Sequence, residues 1–193
     1  GYSVYTTIRA KDQAAAYASL RQGVLEYDQR HGYRGPEGFV DLKKNDTEEL
    51  LDDALADVPD SDDLIPAVVQ SVNPKGIRAY CKNGQVVEIR GAGLRFAQQT
   101  LGDKMALNRR IRSGSLIRVR KNAQEFWEIT QLPQVEAAFV SANPRDGAVF
   151  ALVGGFDFYR NKFNHVTQAW RQPGSSFKPF IYSAALEKGF TPA

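Results

Sequence analysis

The sequence predicts an α+β fold in which a five-stranded, OB-like β-barrel is inserted into a sheet-and-helix domain. Three observations carry that expectation. Five short β-rich runs fall between residues 65 and 133, bounded by turn residues and separated once by a longer, partly helical connection. Two almost continuous apolar runs follow Pro133. Last comes a helix that opens near Ser175 and carries Pro179 close to its start.

At the start, Tyr2-Ser3-Val4-Tyr5-Thr6-Thr7-Ile8 alternates and is rich in β-branched and aromatic residues, which predicts a strand. Asp12 is placed to cap the next helix, whose apolar stripe is Ala15, Tyr17, Ala18, Leu20, Val24 and Leu25. Residues 27–36 break into loop, and His31, among charged residues and glycine, reads as a surface side chain. Residues 41–63 turn strongly acidic through Asp46, Glu48, Glu49, Asp52, Asp53, Asp57, Asp60, Asp62 and Asp63. Leu50, Leu51, Ala54 and Leu55 predict a short helix inside this stretch, which is expected to be a linker.

The barrel strands are expected at residues 67–72, 76–80, 85–89, 116–120 and 126–129, with Asn73-Pro74-Lys75-Gly76 and Lys82-Asn83-Gly84 as turns. The segment is basic through Arg78, Lys82, Arg90, Arg95, Lys104, Arg109, Arg110, Arg112, Arg118, Arg120 and Lys121. A basic barrel with aromatics is one composition of a nucleic-acid binder. Alternating arginines are equally the wet face of a small barrel facing an acidic neighbour, and no nucleic-acid partner is expected.

Composition narrows the classes. The chain has 193 residues, 42% hydrophobic, with a formal net charge of +3, which suits one or two globular domains. It holds no apolar run long enough to cross a membrane and no leader pattern. Opening on Gly1 without a methionine, it is expected to be an excised or processed piece, soluble as written. Cys81 has no second cysteine to pair with, and His31 and His165 lie too far apart for a metal-ligand spacing. No Gly-rich phosphate loop is present, so no metal and no cofactor is expected.

Beyond Pro133, residues 135–141 and 148–153 read as two strands joined by the turn Asn143-Pro144-Arg145-Asp146-Gly147, in a sheet covered on both faces. Gly154-Gly155 ends the second. Then comes Arg171-Gln172-Pro173-Gly174-Ser175-Ser176-Phe177-Lys178-Pro179-Phe180. Ser175 and Lys178 stand three apart, so on a helix they share a face, whereas Ser176 falls on another. S-x-x-K is a serine-acyltransferase spacing, with Ser175 as nucleophile and Lys178 as its base. Pro179 crowds the Ser175 carbonyl, so regular helix should begin at about Ser175, where the dipole favours a developing oxyanion. Phe180, Ile181, Ala184, Ala185 and Leu186 give it an apolar face, and Gly189 stops it. His165 has no acidic partner placed to orient it and is set aside as a base.

These residues carry a resemblance. The run from Glu136-Ala137-Ala138 to Gly154-Gly155, then Phe163-Asn164, Thr167-Gln168-Ala169 and the S-x-x-K stretch closely resembles class A penicillin-binding proteins, the bifunctional enzymes of bacterial cell-wall synthesis. The opening strand and helix look like the family's transpeptidase start. The barrel looks like the OB-type insert of the class A proteins of Gram-negative bacteria. His165-Val166 departs from the more usual Arg-Ala.

The resemblance implies a D-Ala-D-Ala transpeptidase/carboxypeptidase that acts on peptidoglycan stem peptides through Ser175 and Lys178 and is acylated by β-lactams. Its S-x-N and K-T-G motifs would lie beyond Ala193, and its glycosyltransferase domain and inner-membrane anchor before Gly1, leaving an incomplete transpeptidase fold that is inactive alone. The insert is expected to meet an outer-membrane lipoprotein regulator or peptidoglycan itself. The implied division is residues 1–45 for the transpeptidase start, 46–64 for the acidic linker, 65–133 for the barrel and 134–193 for the nucleophile part. The competing classes are a β-lactamase-like hydrolase and an OB module, binding nucleic acid or protein, whose S-x-x-K is accidental.

Overall fold

The computed structural model describes residues 1–42, 47–102 and 105–192, so Asp46 and Lys104, named in the charge runs above, lie outside the described residues. The barrel strands form where the β-rich runs predict them: β2 (Ile65–Asn73), β3 (Gly76–Cys81), β4 (Val86–Ile89), β5 (Ser115–Lys121) and β6 (Trp127–Thr130). A two-residue strand, β1 (Gly38–Phe39), joins from upstream. All pairings are antiparallel, in the order β1-β5-β2-β3-β4, with β6 following β1 along the same edge of β5. The turns work through side chains. Asn73 Oδ1 accepts the amides of Lys75 and Gly76 at 2.9 and 3.1 Å, closing the β2–β3 hairpin.

The sheet curls but does not close, because among the described residues no ladder joins β4 to β6. A 3-10 helix, Gly91–Leu101, lies along that seam. A side chain at Gly93 would fall on the Trp127 carbonyl, so only glycine lets the helix seat this closely. Ala97 is fully buried there, and Leu94, Phe96 and Leu101 pack partly buried against the same core. That core holds Ala67, Val69, Ile77, Ala79, Ile89, Ile117, Val119 and Ile129. Burying each valine or isoleucine is worth roughly 1.5–3 kcal/mol.

The acidic stretch contains helix α2 (Glu48–Ala56). Its acidic face is in water, but Leu51 and Leu55 pack on Val68 and Tyr80 of the sheet. Tyr80 donates its hydroxyl to Asp52 at 2.8 Å.

The second unit is built on helix α1 (Ala10–Arg30) and the hairpin of β7 (Phe139–Ala142) and β8 (Val149–Val153). Leu20, Val24, Leu25 and Ala16 pack on Ala151, Val153 and Phe156. The buried stripe runs through Ala16 rather than Ala15 or Ala18, both exposed, because the packed face follows residues four apart to Leu20 and Val24. Asp12 is not the cap. Arg9 holds that position, and Asp12 sits in the first turn as an ion-pair partner of Arg9 at 4.0 Å.

Residues 2–8 are not a strand. The open edge of β8 is met instead by Arg9 N–H on Phe150 O at 2.9 Å, Thr7 Oγ1 on Val149 O at 2.7 Å, and the Gln13 side chain. Gln13 acts as a strand residue would: Nε2 donates to Leu152 O at 2.9 Å and Oε1 accepts Leu152 N at 2.8 Å. With that edge satisfied, the alternating run has no ladder to join, and Tyr2, Val4 and Tyr5 stay exposed. The hairpin turn forms as predicted, with Asn143 N on Ala148 O at 2.8 Å. The expectation of cover on both faces fails. Ala151 and Val153 of β8 are buried against α1, while Phe139 and Val140, neighbours on opposite faces of β7, are 41% and 47% exposed.

Two polar networks join the units. Asp28, 4% exposed, receives Arg34 Nη1 and Gln131 Nε2, each at 2.7 Å, where the chain enters and leaves the barrel. Arg21, buried on α1, donates to Ser61 O and Phe156 O at 3.2 Å each and to Asp63 at 2.7 Å. Its guanidinium lies 4.2 Å over the Phe156 ring. Among the described residues, no buried side-chain nitrogen or oxygen lacks a partner.

Candidate active site

The segment that carries Ser175 is prepared upstream by polar side chains gripping backbone. Glu136 Oε2 accepts Phe156 N at 2.9 Å just past Gly154-Gly155. The His165 amide and ring Nδ1 both meet Gly154 O, each at 2.8 Å. A carbonyl only accepts, so Nδ1 carries the hydrogen. The ring is thereby pinned to the end of β8 and edge-on to Phe163, with centroids 4.9 Å apart. Asn164 Oδ1 accepts Val166 N at 2.9 Å, and Gln168 Oε1 accepts Asn164 N at 2.7 Å.

The site turn follows. Gly174 has φ +54, a left-handed conformation that an L side chain rarely adopts, and it redirects the chain into a 3-10 turn, Gly174–Phe177. Helix α3 (Lys178–Glu187) continues from it. Regular α-helix therefore starts three residues later than the proline argument gave. Pro179 has no N–H to offer the Ser175 carbonyl, and Lys178 N–H takes that carbonyl instead, one residue early. Ser175 lies in the 3-10 turn and Lys178, three residues on, opens α3. Both are exposed, and among the described residues no side-chain hydrogen bond joins them. The helix ends as predicted: Gly189 has φ +85 and Phe190 N reaches back to Ala185 O at 3.1 Å.

Reasoning from the residues gave no role to Glu136, Asn164, Gln168 or Asp157. Glu136, Asn164 and Gln168 stood within the quoted resemblance. Their work, accepting backbone amides across a loop, leaves no periodic signal. The arginines were misjudged in part. Arg118 is not on a wet face but 1% exposed, its Nε and Nη2 on the Glu37 carboxylate at 2.9 and 3.2 Å and its Nη1 on Leu64 O at 3.1 Å. A planar cation accepts full burial when carboxylate and carbonyl fill its donors.

The comparisons with known proteins match this architecture part by part. Residues 33–135 match the family model for the penicillin-binding protein OB-like domain, and residues 137–193 that for the penicillin-binding protein transpeptidase domain. The chain belongs to the class A penicillin-binding protein family. Within it, the similarity is to penicillin-binding protein 1A. The chain is 42% identical to that protein of Neisseria cinerea over 193 residues, covering 99% of this chain and 24% of the relative. It is also 42% identical to that of Escherichia coli (strain K12), covering 99% and 23%. The crystal structure of penicillin-binding protein 1A from Haemophilus influenzae superposes with a TM-score of 0.79 at 36% identity, over 97% of this chain and 27% of that one. The chain thus spans about a quarter of the length of these relatives. No helix among the described residues is long and apolar enough to cross a membrane.

Proposed function

We propose that Ser175 is the nucleophile of a D,D-transpeptidase and Lys178 the base that takes its proton. The hydroxyl oxygen attacks the penultimate D-Ala carbonyl of a peptidoglycan stem peptide, an ester forms, and the terminal D-Ala leaves with a proton. The amine of a neighbouring stem then takes the acyl group and frees the serine; water in its place gives carboxypeptidase action. The Ser175 amide would donate to the oxyanion at the helix start. A β-lactam would acylate the same oxygen. The observation that supports this reading is the placement of Ser175 in the 3-10 turn that leads into α3 at Lys178, inside the stretch that matches the transpeptidase model.

The wider reading follows the family. The full-length protein would be anchored in the inner membrane with this part on the periplasmic side, and would also be a peptidoglycan glycosyltransferase. The 193-residue chain would not turn over substrate alone. The division into residues 1–45, 46–64, 65–133 and 134–193 belongs to the same proposal, as does an outer-membrane lipoprotein regulator on the barrel.

Fluorescent penicillin, mass-mapped on the protein at the length of its relatives, tests it. One labelled peptide holding Ser175 is expected, with no label in Ser175→Ala and acylation slowed by about 100-fold or more in Lys178→Ala. Label on another side chain sinks the assignment. Labelling of the 193-residue chain at the full-length rate refutes its predicted inactivity.

A further inference from the structure

The turn after β8 is bonded to both ends of the barrel. Asp157 is 6% exposed. Its Oδ2 accepts Ser61 Oγ at 2.6 Å, on the chain entering β2. Its Oδ1 accepts the amides of Tyr159 and Arg160 at 2.9 and 3.3 Å. Arg160 Nη1 donates to Pro133 O at 2.9 Å, on the chain leaving β6. From α1, Arg21 ties Phe156 O to Ser61 O. A carboxylate and a guanidinium three residues apart thus hold both barrel connections. A carboxylate leaves water this fully only when its oxygens are satisfied; here one oxygen holds the Asp157 turn through two local amides and the other joins that turn to Ser61.

The same turn is where the chain departs for Ser175. Asn161 N donates to Asp157 O at 2.9 Å, Asn161 Oδ1 accepts Phe163 N at 3.0 Å, and the His165 anchor on Gly154 follows. The geometry points to Asp157 as a positioning residue: it clasps the barrel to the turn from which the nucleophile segment departs, so that the two move as one body. Only the naming of Ser175 as nucleophile rests on the proposed function; the clasp does not.

Hydrogen–deuterium exchange on the 193-residue chain tests the clasp. Ser61→Ala removes one hydroxyl that is 96 residues from Asp157 in sequence. It should speed exchange at Tyr159, Arg160, Asn161 and His165 by about tenfold, the scale of one charge-assisted hydrogen bond, while β2, β3 and β5 keep their protection. Asp157→Ala should do at least as much. Asp157→Asn keeps an acceptor for the two amides and offers Ser61 Oγ an N–H, and it should stay within about threefold of the parent. Unchanged exchange at residues 159–165 in both alanine variants overturns the clasp. So does uniform acceleration that includes the barrel strands in Ser61→Ala.

A second arm uses the protein at the length of its relatives. Ser61→Ala should lower the rate constant of acylation by fluorescent penicillin by about tenfold and leave the dissociation constant of the non-covalent complex unchanged. An unchanged rate constant overturns the reach to Ser175. If the parent protein itself is not labelled at Ser175, the proposed function fails, and the exchange arm still decides the clasp.

Discussion

Arg118 heads the largest fully buried side chains, and it carries a charge. In sequence it is one of a run of alternating basic residues, with nothing local to mark it. What sets it apart is Glu37, 81 residues away, and the Leu64 carbonyl. Cys81 shows another effect of burial. It is 0% exposed, and desolvation pushes its thiol from the ordinary 9.0 up to about 11. The folded chain then keeps a proton that the unfolded chain releases above pH 9. This contribution to stability is complete below pH 9 and lost as pH rises to about 11. Tyr17, raised from 10.0 to about 12 by burial and by its bond to Asp62, adds a loss of the same sign at higher pH. Urea titrations at pH 8, 9, 10 and 11 should show Cys81→Ala with a shallower alkaline decline than the parent, whatever its baseline; equal slopes would refute the assignment.

Among the elements, α2 is the clearest case of a pattern read correctly and its setting missed. Leu51 and Leu55 fall on one face of a helix, as the spacing predicts. The surrounding acids make the stretch look solvated, yet Leu55 is 0% exposed against the barrel. Leu55→Ala should cost about 3 kcal/mol in chemical denaturation, while Asp53→Asn on the wet face should stay within about 0.5 kcal/mol. Similar small effects for both would mean that the helix does not brace the sheet. The five barrel strands were legible because turn chemistry and alternation are local. The opening run was misread because strand propensity says nothing about a free edge, and Gln13 had already filled it. At the site, spacing set Ser175 above Ser176 as the partner of Lys178, whereas the 3-10 turn Gly174–Phe177 that stands where regular helix was expected was not foreseen.

At the scale of the molecule, the α1–hairpin core is joined to the sheet, with its inner core and the α2 cluster, by buried polar groups. Arg21 bridges α1, the entry to β2 and the turn after β8, so its loss would take the guanidinium donor from Phe156 O and leave Ser61 O with the Leu64 amide alone. Arg21→Met should destabilise the junction by about 1–3 kcal/mol, the cost of leaving a buried carbonyl without its donor, since the paired Asp62 and Asp63 are half exposed. Calorimetry should then resolve two transitions, with the barrel melting on its own. A single transition at the parent temperature would show that the junction contributes nothing. The network was invisible in the sequence because its members lie far apart: Arg21 is 40 residues from Ser61 and 135 from Phe156.

By itself the sequence determined the strands of the barrel, the hairpin and the helices, because each depends on dihedral preference, periodicity or spacing within a few residues. Only the tertiary structure decided which arginines are buried, where the sheet stays open, and how the turn leading to Ser175 is tied to the barrel. Those outcomes depend on desolvation and on which groups meet across the chain, and neither quantity exists until the chain has folded.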